Sequence, residues 1–199
     1  MKSFRYFALN KPYGMLSQFS REGNNKSLAD LDFKFPPDVY PIGRLDSDSE
    51  GLILLSNDPA LNHALLAPVK AHWRKYLIQV EGLIEEKDCI RLRDGVQFSI
   101  NGNSYKSLPC KAEAVEAPFD LPERNPPVRF RKSIPTSWLI MELREGKNRQ
   151  VRKMTAAVGF PTLRLIRIGI EKLLLDKLGS GEVIEFERAD FLKKLNLLK

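Results

Sequence analysis

Residues 41–57 read Pro41-Ile42-Gly43-Arg44-Leu45-Asp46-Ser47-Asp48-Ser49-Glu50-Gly51-Leu52-Ile53-Leu54-Leu55-Ser56-Asn57. Pro41 and Gly43 open a turn that carries Arg44 and the acids Asp46, Asp48 and Glu50, and Gly51 releases the chain into the apolar run 52–55. A short apolar run bounded by turn residues predicts a buried strand. Polar loops that feed rigid strands are where reacting groups are commonly held. The spacing of Asp46, Asp48 and Glu50 also resembles the start of a calcium-binding loop. Such a loop needs a bidentate Glu at its twelfth position and a helix on each side. Here that position is Asn57 and the exit reads as a strand, so calcium is not expected. A solvated acidic turn and a reactive loop are the two readings left.

Working outward, residues 5–10 form a strand that runs into a turn over 11–14, where Pro12 and Gly14 bend the chain. The plain expectation for the pair at the strand end is Asn10 satisfying turn backbone and Lys11 in solvent. Residues 23–35 read as a loop with a helical turn around 28–31. On the other side, Asp58 is placed as N-cap and Pro59 as first residue of a helix to 66, with Leu61 and Leu65 on its apolar side and His63 on its surface. Residues 73–81 predict a strand with Tyr76, Ile78 and Val80 on one face, Tyr76 by default a core aromatic.

Residues 84–94 have helical spacing and end at Gly95. The strand 96–100 meets Asn101-Gly102, a hairpin signal, with the return strand passing through Tyr105 and Leu108 and residues 111–115 extended. Residues 118–135 hold five prolines with Arg124, Arg129, Arg131 and Lys132, a stiff basic arm that reads equally as an RNA contact or an exposed linker. After a strand at 136–144, residues 145–158 predict a helix closed by Gly159. Its buried face is Val151, Met154, Thr155 and Val158; Arg149, Lys153 and Ala156 point away, and Arg152 falls at the edge of the stripe. Lys147 and Asn148 add donors at the helix start, where free N–H groups favour anions. The strand 161–170 carries Arg164 and Arg167, expected to extend a positive surface, and a strand at 182–186 precedes a helix from Ala189. Strands and helices mix in an α+β order with antiparallel hairpins prominent.

Composition narrows the class. At 199 residues, 43% apolar and 29% charged, the chain has room for one substantial core or two small lobes sharing a cleft. No run approaches a membrane span, and the N-terminus lacks a signal peptide's apolar core. Cys89 and Cys110 stand alone without zinc spacing, which fits a reducing cytoplasm and no structural metal. The formal charge of +7 favours a polyanionic partner, since each neutralised phosphate releases counterions.

Four stretches resemble the motifs of the pseudouridine synthases that modify ribosomal RNA. Asn10-Lys11-Pro12-x-Gly14 is similar to the first motif. Gly43-Arg44-Leu45-Asp46-x-Asp48-Ser49-Glu50-Gly51-Leu52, followed by Asn57-Asp58, is similar to the second, which carries the family's essential acid. Lys75-Tyr76 falls where the family has its active-site tyrosine. Residues 145–154, with 163–169, resemble the third motif. The match spans nearly the whole chain in order. This chain starts directly at the first motif, so the S4 RNA-binding domain that often precedes it in the family is not expected, and RNA affinity falls to the catalytic domain itself.

The resemblance implies one catalytic domain over residues 1–199, α+β in class, with a mixed, mainly antiparallel bipartite sheet flanked by helices and two sublobes sharing a central basic cleft. It implies isomerisation of uridine to pseudouridine in large-subunit (23S) ribosomal RNA: the N1–C1′ bond breaks, the base turns, and C5 joins C1′. That exchange of one bond for another within a substrate calls for no cofactor or metal. By resemblance Asp46 is the nucleophile and Tyr76 stacks on the uracil. A carboxylate attacks only when ionised, so a counter-ion is needed, and Arg152 is assigned that part. The target base leaves its stack, with Arg44 filling the vacated place or holding a neighbouring phosphate. Asn10, Lys11, Lys75, Lys147, Asn148, Arg149, Gln150, Lys153, Arg164 and Arg167 are the expected RNA-binding residues. A cytoplasmic monomer with neither membrane nor DNA as partner is expected. The rival is a catalytically inactive RNA-binding or ribosome-assembly factor on the same scaffold.

Overall fold

The computed structural model describes residues 3–67, 71–118, 120–129 and 131–198. In chain order its strands and helices are β1 (Tyr6–Lys11), β2 (Tyr40–Ile42), β3 (Glu50–Ser56), α1 (Pro59–Leu66), β4 (Arg74–Glu81), α2 (Glu86–Arg93), β5 (Gln97–Ile100), β6 (Asn103–Lys106), β7 (Lys111–Val115), β8 (Thr136–Leu143), α3 (Gln150–Ala157), β9 (Thr162–Ile170), β10 (Leu173–Leu174), β11 (Val183–Phe186) and α4 (Arg188–Lys194). The order is α+β, as the pattern predicts. The chain divides into two compact units: unit 1 holds residues 1–72 and 166–199, unit 2 residues 73–165.

Unit 1 is built on β3. β1 pairs with it antiparallel, Leu9 opposite Ile53 and Phe7 opposite Leu55, and β11 pairs antiparallel with the far edge of β1. The other edge of β3 is shared between β2, antiparallel at Ile42↔Leu54, and β9, parallel at Glu50↔Ile166 and Gly51↔Arg167. Side chains alternate between faces along a strand. Tyr6, Ala8, Leu52 and Leu54 therefore pack on one face with Leu61 and Leu65 of α1 and Phe191 and Leu192 of α4. Phe7, Leu9, Ile53 and Leu55 pack on the other with Leu28, Leu31 and Val39. Both faces are covered, which explains why residues 52–55 are continuously apolar rather than alternating. The strand takes in Glu50 and Gly51 as well. Gly51 is a member of the sheet at φ +101°, with no room for a side chain against Arg167 backbone.

The N-terminus of α1 forms as the sequence predicts: Asp58 Oδ1 accepts from Ala60 N at 3.0 Å and Pro59 starts the helix. Asp58 Oδ2 also accepts from the buried Tyr6 hydroxyl, which ties this cap to β1. Asn57 is a structural residue, accepting from Arg5 N and donating to Ser3 O and Asp38 Oδ2.

Unit 2 is an antiparallel sheet in which β8 lies between β4 and β7, in register at Tyr76↔Met141↔Ala112. Tyr76, Ile78, Val80, Leu139, Met141 and Leu143 share a core with Cys89 and Leu92 of α2 and Val151 and Met154 of α3. The β5–β6 hairpin turns through Asn101 and Gly102, both at positive φ, as the dipeptide predicts; its return strand stops at Lys106 and Leu108 lies exposed beyond it. The basic arm is held to unit 2 rather than free: Arg124 donates to the carbonyls of Pro126, Pro127 and Leu163, and Arg131 pairs with Glu81.

Both cysteines are buried thiols in unit 2, and Cys110 Sγ donates to Leu92 O. Burial, and then the Glu145 carboxylate, pushes Cys110 up to about 12, and burial raises Cys89. The thiolate is the reactive form. Native protein at pH 8 is therefore expected to show no thiol reactive toward a disulfide reagent within minutes, and both cysteines should react after denaturation. A fast-reacting thiol in the native state would contradict this packing.

Candidate active site

In unit 1 the loop between β2 and β3 carries Asp46. Gly43 enters it at φ +74°. The loop is held from the segment after β1: Ser17 Oγ donates to Leu45 O at 2.7 Å and accepts from Leu45 N at 3.0 Å, and Gly14 N donates to Ser47 O at 2.7 Å. Ser49 N closes a tight turn on Asp46 O at 3.0 Å. Asp46 and Asp48 are half-buried, Glu50 is buried, and Arg44 is exposed with a guanidinium nitrogen on Gln18 Oε1.

The structure corrects the reading of Lys11. Expected in solvent or on RNA, it is fully buried, and its ammonium donates to Met15 O at 2.7 Å and Pro12 O at 3.0 Å. Burial pushes it down to about 8; the carboxylates of Glu50, Asp48 and Asp46 pull it back up, and Arg167 pushes it down. Lys11 is thus an internal cation whose field the acids of the Asp46 loop share. The turn over 11–14 folds its own carbonyls back over the ammonium, which no spacing rule announces. Asn10, expected on the backbone of its own turn or on RNA, lies within β1 and its side chain donates to the distant Leu178 O at 2.7 Å.

Arg167 is corrected in the same way: it is buried, with Nε donating to Leu52 O at 2.7 Å, so it braces β9 against β3 rather than extending an RNA-facing surface. Arg164, in unit 2, is also buried and donates to Pro122 O at 2.9 Å. Arginines on this strand serve backbone carbonyls of neighbouring segments, because a guanidinium keeps its charge and satisfies several acceptors when buried.

In unit 2 Tyr76 sits on β4, within the core face and 8% exposed. Lys75, on the opposite face, approaches Glu142 at 3.7 Å, and Lys111 meets the same carboxylate at 2.8 Å. The helix predicted from residue 145 begins only at Gln150, because Arg149 takes the left-handed conformation at φ +51° and the chain turns there. Lys147 and Asn148 therefore lie in an exposed turn before the helix, not in its first turn. Gln150, expected on RNA, is buried: its Oε1 accepts from Lys147 N at 2.9 Å and its amide donates to Glu145. The buried stripe of α3 is as expected, with Val151, Met154 and Thr155 inside, and Arg152 is half-buried at its edge with Nη1 directed to Thr162 O.

Glu145 is a hub the sequence did not reveal. It accepts from the Tyr105 hydroxyl and the Leu108 N–H, joining the β5–β6 hairpin to the start of the α3 turn, while Lys147 Nζ lies 5.3 Å from the Tyr105 ring centroid. The hydrogen bond to Glu145 pushes the Tyr105 phenol up to about 12. Trp73, likewise unremarked in the sequence, has Arg144 and Lys111 over its ring at 4.3 and 4.7 Å. Unit 1 thus brings together Asp46, Asp48, Glu50, Lys11 and Arg167. Unit 2 carries Tyr76, Arg152, Lys153 and the basic turn 147–149. Among the described residues no group of three or more His, Cys, Asp or Glu is placed to hold a metal, and no helix is long and apolar enough to cross a membrane.

Known proteins resemble this chain in sequence and in fold. The family described as RNA pseudouridylate synthase matches residues 5–157. "Ribosomal large subunit pseudouridine synthase E" of Xanthomonas axonopodis pv. citri is 46% identical over 85% of this chain and 87% of its own length. The protein of that name from Vibrio parahaemolyticus is 44% identical over 94% of this chain and 76% of its own. A crystal structure described as a pseudouridylate synthase superposes with a TM-score of 0.77 at 25% identity, covering 98% of this chain and 75% of that one. With the family matched across most of its length, by sequence and by fold, the chain belongs to the RNA pseudouridylate synthases.

Proposed function

We propose that this chain isomerises a specific uridine of large-subunit ribosomal RNA to pseudouridine. The observation that carries the reading is the identity of 46% and 44% with relatives named for that RNA, over most of both chains. In this reading residues 1–199 act as one catalytic domain. Asp46 of unit 1 is the nucleophile. Tyr76 of unit 2 stacks on the uracil and assists proton transfer, and Arg152 holds the carboxylate anionic.

The target nucleotide leaves its stack, at a cost of a few kcal/mol. The exposed side chains Arg44, Lys147, Asn148 and Arg149, with Lys75 and Lys153 half-buried, take phosphates. Such contacts position the RNA, while folded shape and splayed bases select the site. N1–C1′ cleavage and C5–C1′ formation balance within the substrate, so the proton lost from C5 returns to N1 and nothing else is consumed.

The test is carbodiimide labelling with reverse-transcription stops on large-subunit RNA from cells lacking this protein. One stop should vanish and return when the wild-type chain is restored. An unchanged map would sink the assignment to this RNA.

The roles of neighbouring residues on α3 separate in the same assay. Arg152→Ala should lower kcat roughly a hundredfold, the scale for removing a preorganised group from a reacting centre. Lys153→Ala should mainly weaken binding and reduce the salt slope by about one. Equal, salt-dependent losses from both would make Arg152 an ordinary phosphate contact.

A further inference from the structure

We infer that Ser17 is a positioning residue for the reaction, a backbone clamp that sets the direction of the Asp46 side chain; this rests on Asp46 being the nucleophile. Ser17 is 2% exposed and lies outside the acidic loop, yet its hydroxyl is spent wholly on one residue of it. It donates to Leu45 O at 2.7 Å and accepts from Leu45 N at 3.0 Å. A hydroxyl that both gives and receives on the same residue replaces a strand partner: it fixes both peptide planes of Leu45. Asp46 follows directly, so its Cα–Cβ direction is inherited from them.

The other flank is held from the same segment, since Gly14 N donates to Ser47 O at 2.7 Å. Asp46 is therefore bracketed at the residue before it and the residue after it. The segment that does this is itself anchored: Lys11 Nζ donates to Met15 O at 2.7 Å, and Leu16 N donates to Lys26 O at 2.8 Å. Leu45 is 8% exposed, so water does not readily substitute for the lost hydroxyl. Of the clamp's parts Ser17 is the one that can be removed without charge or backbone change. Small displacements of a reacting group are costly: about 1 Å can lower a rate by about a hundredfold.

Ser17→Ala removes the hydroxyl and little volume, and Ser17→Thr keeps it. Both are assayed for single-turnover rate on the ribosomal RNA transcript, for affinity to that RNA, and for hydrogen exchange at the Leu45 amide. The expectation for Ser17→Ala is a rate about ten- to a hundredfold lower. Its RNA affinity should stay within about twofold of wild type, and Leu45 should exchange faster while β3 stays protected. Ser17→Thr should retain most of the rate; if its extra methyl unfolds the protein, the exchange and rate of Ser17→Ala decide alone. Full activity in Ser17→Ala, or a loss that lies in RNA affinity, overturns the clamp while leaving the functional reading intact. A wild-type chain that forms no pseudouridine in this RNA overturns the functional reading and the clamp with it.

Discussion

Asp46→Asn is expected to abolish pseudouridine formation, by at least about a thousandfold, with fold and RNA affinity kept. Removing the nucleophile of a covalent mechanism leaves only binding and orientation, and no neighbour takes over the attack. Asp48, two residues on, and Glu50, inside β3, have backbone directions of their own, so neither substitutes. The fold should survive because Asp46 is half-buried in a loop and belongs to neither apolar cluster of unit 1. The hydrogen bonds from Ser17 and Gly14 and the turn from Ser49 N to Asp46 O hold the loop through the backbone of residues 45–47 and 49. Asparagine has the same shape and cannot carry the charge. Carbodiimide labelling reads the product, and thermal melting with filter binding reads the rest. Normal modification by the variant would remove Asp46 from the mechanism; loss of melting cooperativity would make it structural.

Gly51→Ala should cost about 3–5 kcal/mol of stability, the sum of backbone strain and overpacking. At φ +101° an added Cβ would stand 2.3 Å from Arg167 O and 2.8 Å from Arg167 N. These are backbone atoms of the parallel partner at Gly51↔Arg167, so neither can swing away without parting β3 from β9. At roughly 2–4 °C per kcal/mol for a chain of this size, the melting temperature should fall on the order of 10 °C. Gly102→Ala is the control. It shares a positive φ, +83°, but has nothing within 4 Å, so only strain applies, about 1 kcal/mol. If both variants melted alike, the close approach of β3 and β9 would not be a stability determinant.

The residues whose reading came straight from sequence are those whose partners lie within a turn or a strand pitch. Asp58 and Pro59 start α1, Asn101 and Gly102 turn the hairpin, and Tyr76, Ile78 and Val80 share a face of β4. The stripe of Val151, Met154 and Thr155 on α3 is equally local. The family motifs were legible for a different reason: several long ones occur in order along one chain. The start of α3 was not, because residues 145–149 have helical spacing but Glu145 is engaged with Gln150 and with the Tyr105 hydroxyl of the hairpin.

Neighbours close along the chain were enough for the class of elements and their order, while the family and the acid of the proposed chemistry were legible from several motifs recurring in order. Which polar side chains go inside depends on contacts between distant segments of the fold. Lys11, Gln150, Arg164 and Arg167 all read as surface donors, and each is buried on acceptors supplied by the fold. A long cation is stable inside only where carbonyls or carboxylates converge on it. The pairings of Arg167 with Leu52 and Ser17 with Leu45 span distant parts of the chain, so no local pattern encodes them.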